Sequence, residues 1–273
     1  SPQLLLLSGV GRSTHLRDHN ISCVADVPAV GENLENHVIS AIMYGSPPGI
    51  SLADQLNGWR KYRVGLQWLL FKNGIGASTM SETGCFFKSS DSVDYVDLQH
   101  EFYALTSLIK EAISNFGGGF MFPMGLMRPL SKGPIRLKSS NPKVHPELKY
   151  NVFSNPIDEK AMIDGLRKTR NMASQTAFDG LRTVETSPGP SVQSDNEISS
   201  WLRANASTEY HPCSTCRMGT SENSVTDSNG LVHETEGLRV VDASIMPNNV
   251  TANLNAPVLM IAEKLADEIK AVK

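Results

Sequence analysis

The chain has 273 residues, of which 40% are apolar and 19% charged, and carries a net charge of −3 with an isoelectric point near 6.2. That length and apolar content suit one large or two ordinary globular domains and exclude a disordered tail. The charge gives no electrostatic ground for a nucleic-acid partner. No apolar run approaches the roughly 18 residues of a membrane helix, and four cysteines are too few for a disulfide scaffold of this size.

The chain opens Ser1-Pro2-Gln3, then four leucines, then Ser8-Gly9-Val10-Gly11. This reads as the end of a buried helix stopped by glycine, with residue 1 an internal position of a longer polypeptide and any targeting signal upstream of it. Residues 21–30 form a short strand and turn, Gly31 to His37 a polar loop, and Val38 to Tyr44 a strand. After Pro47-Pro48-Gly49, Ser51 or Asp54 can cap a helix running to about Phe71, with Leu56, Trp59, Val64, Trp68 and Phe71 near one face as core residues. Residues 74–84 are small and flexible. Residues 95–103 alternate as a strand, and Gly117 to Gly119 precede an apolar strand from Phe120 to Met127.

In Gly133 to Pro142, Ile135 and Leu137 point inward and Arg136 and Lys138 outward. A helix starting at Asn155 or Asp158 places Met162, Leu166, Thr169 and Ala173 on one side, and a shorter one from Asp195 is capped by Ser194. Leu238 to Val241 reads as a strand with Asp242 at its carboxyl end. A loop from Ile245 to Asn255 leads into a helix with proline in its first turn, Pro257, whose Val258, Ile261, Leu265 and Ile269 face inward.

Three features converge on chemistry. His211 lies in the small-residue loop Glu209 to Gly219, which can present an imidazole to a cavity. Asp242 ends a strand, where open α/β sheets bind ligands. Asn253 and Asn255 precede a helix N-terminus, a seat for partial negative charge. Cys213-Ser-Thr-Cys216 has metal-ligand spacing but no second pair, so two packed free thiols are expected and no metal site is predicted. Asn20, Asn205 and Asn249 begin Asn-x-Ser/Thr sequons.

Taken together these segments resemble the glucose-methanol-choline (GMC) flavin oxidoreductases. The opening eleven residues look like the second half of that family's second signature. Val30 to His37 matches its "VGxNLxDH" stretch, with Asn36 for the usual Asp. Gly133 to Pro142 is similar to its "GxVxLxSxDP" strand, Glu209 to Gly219 to its "HPxGTCRMG" loop, and Leu238 to Asp267 to its closing motif. Cys213-Ser214 replaces the usual small-Gly pair, and Ala252 and Leu254 stand for the usual Gly and Thr.

The resemblance implies an α+β chain: the C-terminal part of a two-domain FAD enzyme, with an antiparallel-sheet substrate domain inserted between pieces of an α/β FAD-binding domain. Residues 1–37 would be partial FAD-binding domain, 38–205 the substrate domain, and 206–273 the FAD-binding return carrying the catalytic loop. The Gly-x-Gly-x-x-Gly turn for the flavin pyrophosphate is absent from the sequence and would lie in a missing N-terminal segment.

The family activity it implies is oxidation of a primary or secondary alcohol by hydride transfer to flavin, by a dehydrogenase or an oxidase. The electron acceptor would be oxygen or a quinone or dye. His211 maps to the family's base, and Asn253, ten residues before Glu263, to its partner. Asp242, Ala243, Asn255, Ala256 and Pro257 map to the FAD-binding positions. A choline-dehydrogenase-like flavour follows from the Asn partner and the Thr-Cys-Arg-Met-Gly run. The alternatives are a non-redox relative of cyanohydrin-lyase or photodecarboxylase type, and an inactive flavin-free fragment.

Overall fold

The computed structural model describes residues 1–106 and 117–271, which divide into two compact units. One comprises residues 38–126 and 156–207, the other residues 1–37, 127–155 and 208–273. Segment 127–155, which the sequence alone groups with 38–205, therefore folds with the unit that carries both chain ends. The α+β class and the antiparallel sheet are as expected.

The sheet of the first unit is built from the runs richest in apolar residues. Strand β3 (Val38–Tyr44) pairs antiparallel along its whole length with β6 (Phe120–Leu126), which pairs with β5 (Leu98–Phe102), which pairs with β4 (Thr83–Phe87). Strand β9 (Glu185–Ser187) adds to the other edge of β3. All of β6 is buried, which explains why its sequence is continuously apolar rather than alternating. Helix α5 (Pro156–Ala173) lays Met162, Leu166, Thr169 and Ala173 against this sheet, all fully buried, at the expected spacing. A Cβ at Gly165 would lie 2.5 Å from Leu98 Cδ1 and 2.7 Å from Met124 Sδ, so helix and sheet meet there without room for a side chain. Helix α6 (Asp195–Asn205) starts with the predicted Ser194 cap, completed by Glu197 as a reciprocal capping box.

Two expectations fail in this unit. The single helix over 51–71 is two, α3 (Ala53–Leu56) and α4 (Arg60–Phe71), separated at Gly58, whose φ is +61°. The aromatic residues assigned to a core are not in one. Trp59 is 70% exposed, Phe71 69%, and no residue of α4 is buried. Tyr62, Leu66, Leu69 and Leu70 are exposed as well, so no face of this helix is buried in the unit.

In the other unit, helix α1 (Pro2–Leu7) ends before Gly9 (φ +83°), and β1 (Val10–Gly11) pairs parallel with β2 (Ala25–Asp26). Helix α2 (Ser13–Asp18) lies between them in sequence. Strand β7 (Ile135–Arg136) pairs with β8 (Glu147–Leu148), with Ile135 and Leu137 buried as predicted. The core gathers Leu5, Leu6, Leu16, Val30, Leu137, Val225, Val240 and Ile245 around Leu265 of helix α7 (Asn255–Ala271). Val258 and Ile261 pack inward, but Ile269 is exposed. The strand expected at 238–241 reduces to one bridge, Leu231 to Arg239, closed by a bond from Val232 N to Leu238 O. Its partner segment turns at Gly230 before a ladder can form. No described helix is long and apolar enough to cross a membrane.

Candidate active site

Every residue of the site belongs to the unit that carries both chain ends. Loop 34–37 runs antiparallel to the segment after Thr208. Cys213 N–H donates to Glu35 O at 3.0 Å, Glu35 N–H to Cys213 O at 3.3 Å, and Glu209 N–H to His37 O at 3.1 Å. This pairing carries His37 to His211, 174 positions away in the chain, with a separation of 2.9 Å between their Nδ1 atoms. Asn36 fastens the crossing, its Oδ1 accepting from His211 N–H at 2.9 Å and its amide donating to Thr208 Oγ1 at 2.6 Å. The same Thr208 Oγ1 also accepts Tyr210 N–H at 2.9 Å.

Loop 246–254 is held from the same side. Buried Glu35 pairs with Lys132 at 2.5 Å and accepts Asn249 N–H at 2.8 Å. The next carbonyl, that of Val250, lies 3.0 Å from His37 Nε2, and the Met127 carbonyl lies 3.1 Å from the same nitrogen. Two carbonyl oxygens can only accept, so His37 Nε2 carries a hydrogen and the Nδ1 of the neutral ring carries a lone pair. His211 Nδ1 is then the donor between the two rings. That leaves the lone pair of neutral His211 on Nε2, the nitrogen turned toward Asn253, whose Nδ2 lies 3.5 Å away. Glu209 completes the cluster, its Oε2 being 3.3 Å from His211 Nδ1 and 3.6 Å from His37 Nδ1.

The structure thus brings His211 and Asn253 together, as the sequence reading requires, and adds His37 and Glu209, which that reading passed over. Asn249 is buried, its amide 3.5 Å from the His211 carbonyl, so its sequon offers no room for a glycan. Asn255 and Ala256 are exposed at the start of α7, where backbone N–H groups have no intrahelical acceptor, and Pro257 is half-buried in the first turn. Asp242 does not end a strand. It caps the single turn Ala243–Ile245, its Oδ1 accepting Ser244 N–H at 2.8 Å. Burial pushes its carboxyl up, but hydrogen bonds from Ser1 and Ser244 outweigh that and hold it below the usual carboxylate range. Cys213 and Cys216 are buried free thiols, each pushed up to about 12 by burial. They are packing residues, too basic to be thiolates near neutrality.

Comparison with known proteins bears on the family and the fold. Residues 129–262 match the family model described as GMC oxidoreductase. An oxygen-dependent choline dehydrogenase of Paraburkholderia xenovorans is 41% identical over 270 residues, covering 99% of this chain and 48% of its own length. A protein of the same name from Pseudomonas aeruginosa is likewise 41% identical, with the same coverage. The chain spans about half the length of the curated relatives it matches. Among solved structures, a formate oxidase variant of Aspergillus oryzae RIB40 studied for FAD modification superposes with a TM-score of 0.92 at 25% identity, over 99% of this chain and 52% of that one. Pyridoxine 4-oxidase from Mesorbium loti shares the fold, with a TM-score of 0.80 at 23% identity over 98% of this chain and 48% of the other. The family is FAD-dependent, and residues 129–262 of this chain, whose motifs and fold both match it, are a GMC oxidoreductase C-terminal domain.

Proposed function

We propose that the protein containing this chain oxidises the hydroxyl group of a small alcohol with FAD, His211 acting as the base and Asn253 orienting the substrate. FAD, when bound, supplies the acceptor for the hydride. The observation that carries the reading is the tautomer chain. Carbonyl-locked His37 makes His211 a donor at Nδ1, so the lone pair of Nε2 faces the same space as the Asn253 amide. An alcohol oxygen in that space would give its proton to Nε2 while accepting from the neutral amide. The imidazolium so formed has Glu209 Oε2 3.3 Å from its other nitrogen, as the third member of a catalytic triad compensates a protonated histidine.

For the cofactor we assign Asn255, Ala256 and Pro257, whose exposed helix N-terminus fits the electron-rich edge of a flavin, together with the backbone of Asp242 and Ala243. The relatives named choline dehydrogenases favour choline or a similar small alcohol as substrate, with oxygen or another electron acceptor closing the cycle. In the full-length enzyme, His211→Gln should lower kcat by about 10²–10⁴, with a bound-flavin absorbance like that of the parent. Turnover at the parental rate would overturn the assignment of the base.

A further inference from the structure

The Nδ1 edges of His37 and His211 and the carboxylate of Glu209 form a triangle with sides of 2.9, 3.3 and 3.6 Å. Three N and O donors bound to one zinc-sized ion at about 2.0–2.2 Å lie roughly 2.9 Å apart at right angles and about 3.4 Å apart at tetrahedral angles. Two sides fall in that span, and a small turn of the Glu209 carboxylate brings in the third. Among the described residues this is the one such group of three.

Its surroundings are those of a ligand set. His37 is buried and gives its other ring N–H to two backbone carbonyls, the outer arrangement that fixes a metal-binding imidazole. His211 and Glu209 are half-buried, so the triangle keeps a face by which an ion can enter. We infer that His37, Glu209 and His211 bind a divalent transition ion of the zinc class. The donors (two imidazoles and one carboxylate) suit Zn²⁺ or Co²⁺ better than Mg²⁺ or Ca²⁺.

The ion, seated off the line joining the two Nδ1 atoms, displaces the proton shared between the rings. That proton moves to His211 Nε2, the ring stays neutral, and Nε2 becomes a donor. Resting on the function proposed above, the ion would silence the base by tautomer rather than by blocking the cavity.

The binding test needs no flavin. Titrating the 273-residue chain with Zn²⁺ in a calorimeter should give one site per chain. Co²⁺ should show d–d absorption without a thiolate charge-transfer band. Glu209→Gln, at a half-buried position and leaving the fold intact by circular dichroism, should weaken Zn²⁺ at least tenfold. His19→Ala should leave binding unchanged; it tests the half-buried pair His15 and His19, whose rings are 4.8 Å apart. No zinc binding, binding lost with His19→Ala, or binding indifferent to Glu209→Gln each overturns the site and leaves His211 as the base untouched. In the full-length enzyme, turnover unaffected by saturating Zn²⁺ while the calorimetric site is filled would instead overturn its inhibitory role.

Discussion

At the scale of single residues, Ser214 holds a conformation that its sequence position resists. Its φ is +70°, in the left-handed region, and it is buried in the His211 loop where the family's usual residue is glycine. Ser214→Gly should remove that strain and, after the extra entropy glycine carries in the unfolded chain, stabilise by about 0.5–1 kcal/mol. Differential scanning should place the melting midpoint about 1–3 °C higher. The buried thiols give a second expectation. In the native chain iodoacetamide should label exposed Cys23 and Cys85 and spare Cys213 and Cys216, as peptide mass spectrometry would show. His211 and Asn253 were legible in sequence because each sits in a motif with few alternatives. His37 and Glu209 were present in the same motifs but gave no sign of their role. Their meaning depends on a crossing of loops 174 residues apart, and on two carbonyls, Met127 and Val250, that no side-chain pattern encodes.

At the scale of elements, the helices with local start signals were read well. The capping box at Ser194 is a four-residue code, and Ser194→Ala should cost about 1 kcal/mol, seen as a lower urea midpoint with an unchanged slope. α5 was legible because its apolar positions repeat at the helical period against a buried sheet. Gly165 on that helix tests packing against propensity. Alanine favours helices by about 1 kcal/mol over glycine, yet its methyl group would strike fully buried Leu98 and Met124. Gly165→Ala should therefore destabilise by about 1–3 kcal/mol in chemical denaturation. The strand at 238–241 was misread because an apolar tetrapeptide says nothing of its partner, and here the partner supplies one bridge. α4 was misread because a helix rich in tryptophan and leucine implies burial, whereas this one lies on the surface of its unit.

For the whole molecule, the sheet unit carries a built-in response to acid. His100 on β5 is buried, its Nε2 2.7 Å from Thr169 Oγ1 and its ring packed on Phe87 and Phe122, and burial lowers its pKa from 6.5 to about 4. The unfolded chain binds a proton at this position below about pH 6.5, while the folded chain does so only near 4. The stability contributed is therefore complete above pH 6.5 and is lost as pH falls toward 4, by at most about 3 kcal/mol. Urea midpoints measured at pH 7 and pH 5 should differ in that direction, and His100→Gln should flatten the difference.

The placement of α4 also decides how unfolding can be watched. Two of the three tryptophans, Trp59 and Trp68, stand on or beside that helix, already facing solvent in the native chain. Their emission should begin at long wavelength and scarcely move as the core dissolves, so an optical melt would follow mainly half-buried Trp201, and apparent resistance to denaturant would reflect silent indoles rather than a sturdy fold.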